Sequence, residues 1–170
     1  KYQIHIDPKT GGLDRITETA TGKEWVDTTS GYAVNQFLYV KGGTNSTSMV
    51  HPNSARCTDL QLLTHETAAV NLVENGPARA VLHIQRSGGN ISAVDTEVVI
   101  HPDGTFDLMN ILHKQETLDK EAGYFVFPFG LNAPDEARAF MELPYGVVEA
   151  DTEQMPGACR EWYCVNTFAA

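Results

Sequence analysis

Hydrophobic and polar positions alternate along most of this chain with a period of two, the spacing of half-buried strands and not of helices. Tyr2, Ile4 and Ile6 share one face of an opening strand. Asp7-Pro8-Lys9-Thr10-Gly11-Gly12 has turn chemistry, and residues 13–17 read as a return strand, so residues 2–17 predict a hairpin. Thr21-Gly22 marks the next turn, ahead of a short strand at residues 23–27. Residues 32–40 are rich in aromatic and β-branched side chains and predict another strand. The Gly/Ser/Thr/Asn-rich stretch 42–55 has little to bury and predicts a loop.

Further strands are expected at residues 60–66, 68–74, 79–86, 91–100 and 105–112, separated by Asn75-Gly76-Pro77, Ser87-Gly88-Gly89-Asn90 and His101-Pro102-Asp103-Gly104. In the 79–86 strand Ala80, Leu82 and Ile84 form one face, and Arg79, Val81, His83 and Gln85 the other. In the 91–100 strand Val94, Thr96, Val98 and Ile100 form the core face, which turns Asp95 and Glu97 to solvent. Residues 116–121 suggest one helical turn. Residues 123–129 suggest an aromatic strand with Phe125, Phe127 and Phe129 in the core. Shorter strands are expected at 138–143, 147–149 and 162–168. About a dozen short strands at this spacing define an all-β, antiparallel β-sandwich, and no sequence feature divides the chain into further domains.

A length of 170 residues suits one sandwich domain. The chain starts without Met, and its last strand-like run meets the final residue, so it is expected to be a fragment of a larger protein. Its ends then carry no targeting information, and no apolar run is long enough to span a membrane. Open strand edges in a truncated sandwich would invite self-association. The formal net charge of −10, with no basic stripe, disfavours nucleic-acid binding. Three cysteines (Cys57, Cys159 and Cys164) without a C-x-x-C pair argue against a disulfide framework, although Cys159 and Cys164 could pair across a tight turn; buried free thiols are expected.

Searching for chemistry narrows the field further. Asp95 and Glu97 are the most visible carboxylate pair, but their strand position makes them an ordinary solvent face. Glu149, Asp151 and Glu153 read as an acidic loop. None of the six histidines (His5, His51, His65, His83, His101 and His113) lies two or four residues from another, so no local metal-ligand pair exists. There is no G-x-S-x-G elbow, P-loop or dinucleotide fingerprint. Trp25, Tyr32, Tyr39, Tyr124, Tyr145, Trp162 and Tyr163 could stack on a pyranose, but a sandwich core claims most of them, and Trp162 beside a Gly/Pro loop is the best placed for a rim. Asn45 and Asn90 head N-x-S/T sequons.

Four stretches together resemble the region after the catalytic barrel in glycoside hydrolase family 38, the α-mannosidase-like enzymes. They are Gly12-Leu13-Asp14-Arg15-Ile16 with Thr21-Gly22-Lys23-Glu24-Trp25-Val26-Asp27; Asn35-Gln36-Phe37-Leu38-Tyr39; Glu121-Ala122 with Tyr124-Phe125-Val126-Phe127-Pro128-Phe129; and Tyr145-Gly146-Val147-Val148 with Glu153-Gln154-Met155-Pro156-Gly157-Ala158-Cys159-Arg160-Glu161-Trp162. They run in family order across nearly the whole chain. The resemblance implies a galactose-mutarotase-like supersandwich of which this chain is the first part. It also implies a catalytic barrel, with its aspartates and zinc ligands, in the missing part of the parent. No residue of this chain matches that barrel, so no catalytic residue or metal ligand carries over.

The expected role is therefore a non-catalytic accessory domain that packs with its parent's barrel and meets carbohydrate through the parent enzyme. Tyr145, Gln154, Arg160 and Trp162 are the candidate substrate-rim residues. An independent carbohydrate-binding module is the first alternative. A mutarotase- or epimerase-like sugar enzyme using His65, His83, Asp95 or Glu97 is the second.

Overall fold

The computed structural model describes residues 1–42, 59–63, 68–88, 90–131, 138–144, 146–158, 163–165 and 167. The described residues form an all-β protein, and no helix among them is long and apolar enough to cross a membrane. Lys1–Gly130 and Leu131–Ala170 pack as two units.

In the first unit, strand β1 (Tyr2–Ile6) pairs with β2 (Leu13–Glu18) as the expected hairpin. Strands β3 (Gln36–Lys41), β4 (Gln61–Leu63) and β9 (Glu121–Val126) form a sheet in the order β4-β3-β9. Strands β5 (Ala69–Asn75), β6 (Ala80–Gly88), β7 (Ile91–Ile100) and β8 (Phe106–Lys114) form a four-stranded antiparallel meander.

The hairpin and the three-stranded sheet join edge to edge. Leu13 and Val34 exchange backbone hydrogen bonds of 2.8 and 2.9 Å, and the amide of Asn35 donates to the carbonyl of Val126 at 2.8 Å. The layer so formed covers the meander, because both bury an apolar face. Leu13, Ile16, Val26 and Val34 meet Ile84 and Val98 in one core cluster, with Tyr2, Ile4 and Ile6 packed against it. Phe37 and Tyr39 meet Ile91 and Val94 in a second.

The period-two faces of β1, β6 and β7 are those read from the sequence: Ile84, Val94, Thr96 and Val98 are fully buried. Arg86 shares the buried face of β6 and is only 2 % exposed. Other readings need correction. Residues 23–27 form no strand and contribute only isolated bridges, Glu24 to Thr17 and Val26 to Phe129. Strand β3 starts at Gln36 and not at residue 32, because Asn35 adopts a left-handed φ of 59° that breaks the extended run. The helical turn at 116–121 is absent, since Glu121 already opens β9.

The aromatic run is cut in the same way. Phe125 packs on Phe37 with ring centroids 5.1 Å apart. Strand β9 ends at Val126, and the amide of Phe129 then donates to the carbonyl of Phe127 in a three-residue turn around Pro128. The alternation is lost there, and Phe127 and Phe129 are half exposed instead of buried. At the open side of the sandwich Leu62, Leu72 and Val73 are also half exposed or more.

In the second unit, β10 (Phe140–Leu143) and β11 (Gly146–Glu149) form a hairpin. Residues 163–165 are not a strand, and Cys164 is a free, exposed thiol and not a buried one. Its segment supplies no sheet to bury it. Cys57, Cys159 and Asn45 lie outside the described residues.

Candidate functional site

Three of the places where polar side chains of the first unit gather join separate strands. The first is the outer face of the meander. Asp95 on β7 stands opposite Gln85 on β6 and Ile111 on β8, with His83 and His113 on the diagonals. Diagonal neighbours across antiparallel strands are within reach of long side chains. The Gln85 amide donates to Asp95 Oδ1 at 2.8 Å, His83 Nε2 lies 3.3 Å from the same oxygen, and His113 Nε2 lies 3.1 Å from Oδ2. Both carboxylate oxygens are thus engaged, and the cluster ties three adjacent strands. His83 and Asp95 are candidates in the sequence only under the sugar-enzyme alternative, without any spacing signal, and His113 is not among them; the partner of His113 is set by strand register. Glu97 faces His83 and Met109 in register. Among the described residues no group of three or more His, Cys, Asp or Glu side chains is placed to hold a metal ion.

The second place is the interior seam between the layers. Arg86 donates through Nη1 to the carbonyl of Thr10 at 2.9 Å and to that of Asn35 at 3.4 Å, and through Nη2 to Thr96 Oγ1 at 2.6 Å. Thr96 donates onward to Asn110 Oδ1 at 2.7 Å. Asn35 and Asn110 then exchange amide bonds of 3.0 and 2.9 Å. Burial without any carboxylate partner pulls the Arg86 guanidinium down to about 10. The network locks the β1–β2 turn, the start of β3 and the meander together. Its members (Thr10, Asn35, Arg86, Thr96 and Asn110) come from five separate stretches, so no local motif announces them.

The third place is Glu121 at the start of β9. Its carboxylate accepts from the Tyr39 hydroxyl, from the Asn90 amide at 2.9 Å and from the Lys114 ammonium. The Lys114 ammonium, then the Tyr39 hydroxyl, hold the Glu121 carboxyl down to about 2. Burial, with Glu121 second, pushes the Tyr39 hydroxyl above its usual range. Because Glu121 is more acidic folded than unfolded, it stabilises the protein fully above about pH 4.5, and that contribution fades as pH falls toward 2. The difference in urea midpoint between the wild type and Glu121→Gln is expected to shrink over that window. A difference constant with pH would remove the carboxylate from the account. The Asn90 nitrogen of the second sequon is the atom engaged by Glu121.

In the second unit Gln154 turns inward. Its amide donates to the carbonyl of Glu149 at 3.3 Å, and its Oε1 is buried with no partner. Among the described residues its one side-chain bond is to its own loop. Tyr145, Arg160 and Trp162, like His65, lie outside the described residues. Tyr163 binds Asp151 through its hydroxyl and the Asp151 amide, both at 3.1 Å.

Neither a family model, nor a curated protein, nor a solved structure matches this chain.

Proposed function

We propose that this chain is a non-catalytic β-sandwich domain of an α-mannosidase-like glycoside hydrolase, the first part of a galactose-mutarotase-like supersandwich. The observation that carries this reading is what the resembling residues do. Glu24, from the Thr-Gly-Lys-Glu turn, accepts from the amides of Ile16, Trp25 and Val26 at 2.8, 3.0 and 3.1 Å and from Thr17 Oγ1 at 3.0 Å. Burial raises its pKa, but those bonds outweigh burial and leave it below its usual range. Gly22 takes the left-handed φ of 73° that its turn demands. Gln36 Oε1 accepts from the Ala33 amide at 2.9 Å, Asn35 belongs to the Arg86 seam, and Tyr39 meets Glu121. Glu24, Asn35, Gln36 and Tyr39 thus tie a turn and the sheets together.

Zinc and the catalytic aspartates belong, in this reading, to the parent's barrel. The half-exposed Leu62, Leu72 and Val73 suit an edge that the remainder of the supersandwich covers.

Aryl α-mannoside hydrolysis with zinc supplied tests the proposal. The chain alone is expected to be inert and the longer protein containing it active. Turnover by the chain alone would overturn the accessory role and favour the His83–Asp95 face. A longer protein inactive on α-mannosides would remove the mannosidase assignment.

A further inference from the structure

The outer face of the β1–β2 hairpin carries a polar cleft that the fold does not require. Strand β2 bulges at this point: His5 pairs with Arg15 and Ile6 with Leu13, so Asp14 is an extra residue. A bulge takes a residue out of the alternation and re-aims its side chain. Here it brings Asp14 Oδ1 to 2.6 Å from His5 Nδ1. Gln3, His5, Asp14, Arg15 and Thr17, with Ile4, line a cleft of about 400 Å³.

That bond uses one oxygen of Asp14 and one nitrogen of His5. The other oxygen, the other nitrogen, the Gln3 amide and the Arg15 guanidinium bond to no described residue. An exposed sheet face normally carries scattered charges. This one instead holds an oriented acceptor among several open donors, within one concavity.

We propose that the cleft binds the hydroxyl edge of a neutral sugar ring, an inference that rests on the carbohydrate-enzyme reading above. Adjacent hydroxyls each donate and accept, and so match Asp14 Oδ2 set beside Arg15, Gln3 and His5 Nε2. Charge decides against an anion. Asp14 offsets Arg15, and the net charge of −10 provides no positive field for a phosphate. The His5–Asp14 bond fixes the acceptor in advance, which lowers the ordering cost of binding.

Amide shifts of the ¹⁵N-labelled chain, titrated with methyl α-mannoside, with a mannose disaccharide and with inorganic phosphate, provide the test. Saturable sugar-dependent shifts are expected at residues 3–5 and 14–17. Asp14→Ala and Arg15→Ala are each expected to weaken binding about tenfold. Arg15 is exposed and bonds to no other described residue through its side chain, so its variant should keep the wild-type unfolding temperature. Absence of shifts, shifts confined to other strands, wild-type affinity in Arg15→Ala, or binding of phosphate in place of sugar would each overturn the proposal. Failure here leaves the accessory-domain reading intact, because that reading stands or falls on the activity of the longer protein.

Discussion

Replacing Arg86 by alanine is expected to lower stability by about 3–5 kcal/mol, whereas Arg86→Met is expected to cost no more than about 1 kcal/mol. The buried cation is not favourable in itself. Its depression to about 10, well below the usual guanidinium range, corresponds to a penalty of about 3 kcal/mol on the charged form. What keeps the cation in place is what it satisfies: the carbonyl of Thr10, the hydroxyl of Thr96 and, more weakly, the carbonyl of Asn35. An orphaned buried acceptor costs about 1–3 kcal/mol. Methionine fills the space and removes the desolvated charge, so the gain and the orphaned acceptors nearly cancel. Alanine adds a cavity between Ile84 and the Gly11 turn, and the tight approach there leaves little room for collapse: a Cβ on Gly11 would lie 2.7 Å from Ile84 Cγ2. Chemical denaturation of the two variants checks the contrast. Equal losses in both would mean that the hydrogen bonds, and not the volume, dominate.

The second large effect is expected at Phe37. Its side chain is 1 % exposed, lies in the cluster with Tyr39, Ile91 and Val94, and tilts against Phe125. Phe37→Ala should cost about 3–5 kcal/mol. That is a large part of the 5–15 kcal/mol that holds a typical domain folded. The opposite change, a side chain added at Gly123, should also destabilise, because a Cβ there would lie 2.9 Å from Phe37 Cε2. Thermal unfolding of Phe37→Ala and Gly123→Val reads both. A Gly123→Val protein as stable as the wild type would show that the ring can move aside, and the packing account of this cluster would fail.

The two residues differ in how visible they are along the chain. Phe37 sits in an apolar, aromatic run, and its burial follows from any strand reading of that run. Arg86 is polar, and although alternation with Ile84 puts it on the buried face of β6, only the neighbouring elements supply the acceptors that let a cation stay buried there. The same distinction separates His83 and Asp95, which alternation puts on one outer face, from His113, which the pairing of β8 with β7 brings beside them. Asp14 is the sharpest case. Alternation alone would send Asp14 and Arg15 to opposite faces, and the bulge overrides it.

The sequence by itself determined the strand class, the β1–β2 hairpin, the four strands β5 to β8 and the turns between them, and the apolar faces of β1, β6 and β7. A period of two has one structural meaning wherever one face is buried. It determined the acidic character, and it placed Glu24, Asn35, Tyr39 and Glu121 in recognisable stretches without saying what they do. Only the tertiary structure decided that Glu24 ties down a turn, that Glu121 joins Tyr39, Asn90 and Lys114, and that Arg86 closes the seam between the layers. It also ended the aromatic run at Val126 and left Phe127 and Phe129 half exposed. The reason is common to all of these. Alternation is local to one strand, whereas a buried polar bond or a bulge depends on which strands lie side by side and in what register.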